Sequence, residues 1–164
     1  MRTITALAGT ATTMVAGVLT LGFGTPPAAA ASCKTGVRKV GGVQTRTFCG
    51  TAKGSATIGT TKLTFPEGAC TSTGTQFAAN FGTIVLGADD GAAKVKNSTS
   101  YVGLAILAGA KDGPNEGLMS ANLQGKGFLV AKATITLSAG KKKVAVTGTS
   151  IGDYRGPFSA TITC

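Results

Sequence analysis

The last eight residues, PFSATITC, alternate without a break: Phe158, Ala160, Ile162 and Cys164 fall on one side, Ser159, Thr161 and Thr163 on the other. A period of two marks a strand with one face in a core and the other in water. The same period recurs upstream. In SATIGTTKLTF, Ala56 and Ile58 belong to one short strand, Leu63 and Phe65 to the next. In TQFAANFGTIVLG, Phe77, Ala79, Phe81 and Val85 share a face. In LVAKATITL, Leu129, Ala131, Ala133, Ile135 and Leu137 share one, opposite Lys132, Thr134 and Thr136. SAGKKK then turns the chain and VAVTG sends Val144 and Val146 inward, which makes a hairpin. SYVGLAILAG is apolar on both faces and reads as a buried strand, with a short buried helix as the competing reading. Loops are expected where Gly, Pro, Asn and Asp cluster: PEGA at Pro66, GADDGAAK at Gly87, GAKDGPNEG at Gly109 and GDYRGP at Gly152. About eight to ten short strands divided by such turns predict an all-β protein, a small antiparallel β-sandwich or barrel-like domain. SATI occurs at Ser55 and again at Ser159, with no fixed period around it, so it does not define a repeat.

The N-terminus obeys a different pattern. Arg2 supplies a positive charge, Ile4 to Phe23 is an uncharged apolar run, Pro26 and Pro27 end it, and Ala28 to Ala31 are small. This is the layout of a secretory signal peptide over residues 1–31. The competing reading is an N-terminal lipid on Cys33, which would leave the protein membrane-anchored. Lipoprotein leaders place a leucine-like residue three positions before the cysteine and keep the apolar core close to it. Here that position is Ala30, and residues 24–32 separate the core from Cys33. Cleavage after Ala30 or Ala31, giving a secreted product, accounts for the same residues. The remaining roughly 130 residues suit one domain. Residues 32–48 form a basic N-terminal arm or an edge strand, and residues 49–164 the β-sandwich domain.

Four cysteines, Cys33, Cys49, Cys70 and Cys164, are an even number in a chain destined for an oxidising compartment, and read as two disulfides. Three connectivities are open on spacing alone. A metal site is not expected, because no pair has close CxxC spacing and the chain has no histidine. The absence of histidine also excludes the common hydrolytic triads. The six carboxylates, Glu67, Asp89, Asp90, Asp112, Glu116 and Asp153, all fall in predicted turns, where acidic residues serve local structure. A glycosidase would need two of them facing across a cleft. ADDGAAK lacks the alternating oxygen ligands of a calcium loop, and GTAKGSAT lacks phosphate-loop spacing. No catalytic residue, cofactor or metal is therefore expected. Sixteen Lys and Arg against six Asp and Glu give a net charge of +10. Such a charge favours an anionic cell-envelope polymer or lipid headgroups as partners. The one basic run, Lys141, Lys142 and Lys143, is the candidate contact for an anionic ligand, although lysines in a hairpin turn also simply face water. With seven Phe and two Tyr, the aromatic platform for stacking nucleic-acid bases is thin, and no specific nucleic-acid binding is expected.

CTSTGTQFAANFGT, KVAVTGTSIG and the closing FSATITC make residues 70–164 resemble the mycobacterial and actinobacterial lipoprotein-antigen family of small exported surface proteins. The resemblance implies a β-domain closed by a cysteine near its start and another at its end. It therefore pairs Cys70 with Cys164 and leaves Cys33 with Cys49. The poor lipidation signal and the additional Cys49 depart from the family pattern. The expectation is a non-catalytic secreted or cell-envelope protein, a binding or surface-antigen module. A lipid-tethered version of the same domain is the first alternative. A small secreted hydrolase using Asp89, Asp90 or Asp153, or an enzyme inhibitor, is the alternative of another class.

Overall fold

The two SATI segments lie side by side. In the computed structural model, described for residues 33–87 and 90–164, Ser55 to Ile58 pair antiparallel with Thr161 to Phe158. The Ser55 and Thr161 hydroxyls hydrogen-bond at 3.2 Å. This pairing is the seam that closes the molecule. The expected signal peptide, residues 1–31, lies outside the described residues, as does Asp89.

Ten strands and one helix follow in order: β1 Gly36–Val40, β2 Val43–Phe48, β3 Ala52–Ile58, β4 Thr61–Thr73, β5 Gln76–Val85, α1 Asp90–Ser98, β6 Ser100–Ile106, β7 Gly113–Leu123, β8 Lys126–Ser138, β9 Lys143–Gly152 and β10 Gly156–Thr163. Each strand from β3 to β10 pairs antiparallel with the next, and β10 returns to β3. Eight strands therefore close into an up-and-down barrel, not a two-sheet sandwich. SYVGLAILAG supplies β6, buried on its inner face by Val102, Leu104 and Ile106. A barrel of eight strands is just wide enough to be filled by side chains. Leu104, Ile106, Met119, Val130, Ile135, Leu137 and Val146, all essentially inaccessible, fill this one.

Beyond the barrel, residues 36–48 form a hairpin, β1–β2, added to β5. Gly82 of β5 pairs with Tyr101 of β6 on one edge and Phe48 of β2 on the other. β2 therefore continues the edge of β5 that β4 occupies from Gly68 to Thr73. The expected loop GADDGAAK is in part a helix. Ala92 and Val95, three apart on α1, pack with Val43 into a small second core that also touches Val40 and Val85. This is where the inward face of β5, followed past Phe81, finds its cover.

Three further expectations are corrected. PEGA lies within β4, and GPNEG within β7, so those loops are shorter than the Gly and Pro content suggests. The shared face over LVAKATITL is broken. One extra residue in β8 opposite Leu118 shifts the register with both neighbours, and Lys132 takes a left-handed backbone, φ 54°. Phe128 and Val130 point inward before this bulge, and Ala133, Ile135 and Leu137 after it. Leu129 and Ala131 are turned out to solvent.

Candidate functional site: a lateral cleft in the barrel wall

The cysteines form two disulfides, Cys33–Cys49 and Cys70–Cys164, each with a Cα separation of 5.7 Å. β3 begins at Ala52 opposite Gly68, so beyond that point β4 has no β3 beside it. The Cys70–Cys164 bond spans this gap and joins β4 to the end of β10. Cys33 holds the start of the hairpin to the end of β2, where Thr35 Oγ1 donates to the Cys49 carbonyl and accepts from its N–H, both at 3.0 Å. Two disulfides suit an oxidising compartment outside the cytoplasm. Among the described residues no helix is long and apolar enough to cross a membrane, and no cluster of three or more His, Cys, Asp or Glu side chains could hold a metal ion.

The lysine run is not a free cationic triad. Lys141 Nζ donates to the Gly74 carbonyl at 3.0 Å and to Ser72 Oγ at 3.4 Å, and so fastens the β8–β9 turn to the β4–β5 turn. The Asp112 carboxylate accepts the N–H groups of Gly140 and Lys141, both at 3.0 Å. Lys142 and Lys143 remain exposed. Nor do all the carboxylates lie in turns. Glu67 is in β4, Glu116 in β7, and Asp90 begins α1. Asp153 accepts the Gly127 N–H at 2.7 Å. Asp112 and Asp153 are thus occupied with the backbone.

A different feature stands out, and it follows from the strand pairing. β4 runs beside β5 only from Gly68 onward, whereas its first half, Thr61 to Glu67, pairs with β3 alone. Past Phe81 the edge of β5 belongs to β2. The wall therefore opens between Pro66–Glu67 and Phe48–Gly82. The cleft has a volume of about 310 Å³. Leu63, Phe65, Phe81, Val102 and Leu123 line it from the barrel interior, and Phe48 and Tyr101 from its outer lip. Phe65 and Phe81 pack with centroids 5.3 Å apart, Phe48 and Tyr101 with centroids 5.9 Å apart.

Polar groups frame the lip. Tyr101 lies across Gly103, a position where a Cβ would collide with its hydroxyl, and donates to Asn80 Oδ1 at 2.7 Å. Burial raises the Tyr101 pKa above its ordinary 10.0 by withholding water from the phenolate, and the Arg46 charge partly offsets this. The Arg46 guanidinium itself sits 5.0 Å from the centre of the Phe48 ring. Among the described residues Glu67 is the one carboxylate lining the cleft. The inward phase of Leu63, Phe65 and Phe81 was legible in the sequence. Their meeting with Phe48 and Tyr101 was not, because it depends on which strand takes the edge of β5.

The chain matches no family model, no curated protein and no solved structure. The cleft and its chemistry therefore stand as the basis for a functional reading.

Proposed function

We propose that this is a non-catalytic, exported binding protein whose lateral cleft holds a small, predominantly apolar molecule. One observation carries the reading: four of the eight Phe and Tyr residues among the described residues gather around one opening in the barrel wall. Small-molecule sites are concave and apolar, with a few placed polar groups, and begin at roughly 300 Å³. Burial of a ligand's apolar surface would drive binding at about 25 cal/mol per Å². Glu67 and Tyr101 at the lip would set its orientation. The two disulfides and the leader-like N-terminus support export, and the pairing of Cys33 supports a released product over a lipid-tethered one. The resemblance of residues 70–164 to exported antigens agrees with a role at or outside the cell surface. The net charge of +10 would add long-range attraction to an anionic envelope polymer, a contribution that high salt removes.

The test is titration with an apolar fluorescent probe, anilinonaphthalene sulfonate, against the wild type and Leu63→Trp. The larger ring would occupy the cleft. Saturable binding to the wild type, lost in a variant with an unchanged far-ultraviolet circular dichroism spectrum, is expected. Equal binding to both proteins, or none to the wild type, would dispose of the cleft as the site.

A further inference from the structure

The bulge in β8 has a consequence on the outside of the barrel. Leu129, turned outward, pairs across the strands with Ile151 of β9, and Leu118 of β7 pairs with Ala105 of β6. Leu107 follows two residues later. These side chains form a diagonal apolar band over four strands. Its leucines and isoleucine are well exposed: Leu107 69%, Ile151 54%, Leu118 and Leu129 38% each. The band encloses a groove of about 450 Å³ in which Ala105, Leu107, Leu118, Leu129 and Ala131 meet two charged residues, Glu116 and Lys132. Among the described residues neither Glu116 nor Lys132 makes an ion pair or a side-chain hydrogen bond. A strand with strict alternation would have placed Leu129 and Ala131 in the core and kept Lys132 among the polar residues of the outer face. The extra residue instead builds an apolar groove with one acid and one base in its lining.

We propose that this groove is the contact face of a homodimer. Charge complementarity selects the occupant. In a two-fold arrangement the same patch meets itself, and an axis passing between Glu116 and Lys132 sets Glu116 of each copy against Lys132 of the other. An anionic lipid surface would meet Lys132 favourably but press against Glu116. An uncharged apolar segment would bury both charges unpaired, which is costly. β1 is the terminal strand of the sheet and keeps a free edge, but a dimer paired through that edge would be indifferent to substitutions in the groove, whereas apolar contact draws on the exposed leucines and isoleucine of this outer wall. The band offers four large apolar side chains, against roughly 20–30 residues a side in a standard stable interface, so association in the micromolar range is expected, not a permanent dimer.

The experiment is sedimentation velocity on the protein recovered from its own host, from about 1 μM to about 500 μM, a span that brackets micromolar dissociation. The wild type should pass from monomer to dimer. Glu116→Lys or Lys132→Glu alone should raise the dissociation constant by about tenfold or more, because each opposes like charges across the contact. The double exchange should restore association. Leu129→Asp should abolish it. Circular dichroism confirms that each variant is folded. If Leu129→Asp does not fold, the charge exchanges, at exposed positions, carry the test by themselves. A wild type that stays monomeric throughout, a dimer indifferent to these substitutions, or a double exchange that fails to recover overturns the proposal. So does a monomer that co-sediments with phosphatidylglycerol vesicles and loses that property with Leu129→Asp, which would make the band a lipid contact.

Discussion

Replacing Cys70 and Cys164 together by serine removes the bond across the barrel seam, and the loss can be worked out from chain topology. The cysteines are 94 residues apart, against 16 for Cys33 and Cys49. In the chain-entropy treatment a cross-link restricts the unfolded ensemble in proportion to the logarithm of the loop it closes. That gives about 4.7 kcal/mol for the long loop and about 3.1 kcal/mol for the short one at 25 °C. The difference of about 1.6 kcal/mol is roughly a fifteenfold change in the folding equilibrium. Both pairs are half-buried, so the cost of substituting the sulfur is similar and the comparison isolates loop length. The native barrel should survive without the long-loop bond, since β10 still pairs along its length with β3 and β9. Only the unfolded chain gains freedom. Urea unfolding followed by far-ultraviolet circular dichroism and tyrosine emission, in a chain without tryptophan, measures both double variants. The slope with denaturant should also rise in the Cys70→Ser/Cys164→Ser protein as its unfolded state expands. If the short-loop variant loses as much stability as the long-loop one, or more, the entropic account of the seam is wrong.

Gly82→Ala should cost about 2 kcal/mol in urea unfolding, because the residue has φ 77° and a Cβ there would strike the Ser100 carbonyl; unchanged stability would mean that β5 and β6 can part at no cost. Tyr101 should ionise above the ordinary tyrosine range in an ultraviolet titration near 295 nm, and higher still in Arg46→Gln, which removes the offsetting charge. The sign follows from proton binding: above pH 10 the unfolded phenol releases its proton while the folded one retains it, so the stability this group contributes below pH 10 is lost as pH rises toward the folded value. Tyr101→Phe should flatten that alkaline decline. Asp112→Ala removes the acceptor of two N–H groups in the β8–β9 turn and should lower stability by about 1 kcal/mol, with faster amide exchange confined to residues 139–142; exchange unchanged there would show that water replaces the carboxylate fully.

Much of the strand pattern was legible because alternation is a local property. Ala56, Ile58, Phe65, Phe77, Phe81, Val144, Phe158 and Ile162 announce their inward phase through their immediate neighbours, and all are buried. The SAGKKK and GDYRGP turns were legible for the same reason. The helix was not, since its amphipathic signal is only Ala92 and Val95 within a segment that otherwise reads as turn. Nor was the β8 bulge. ATITL and LV each alternate correctly, and nothing local says that the phase slips between them. The slip becomes necessary only when β7 and β9 are both paired to β8.

What the sequence determined by itself is therefore the class of the fold: short antiparallel strands, a half-apolar periodicity, and an even set of cysteines in a chain with a leader-like N-terminus. Barrel rather than sandwich was decided by tertiary structure, when the last strand met β3 instead of stopping at the edge of a sheet. The cleft was decided the same way. It exists because two strands, β4 and β2, share one edge of β5 and cannot both occupy it at Gly82. Periodicity records which face of a strand is buried. It carries no record of which strand lies alongside, and both the cleft and the outer groove are products of that choice.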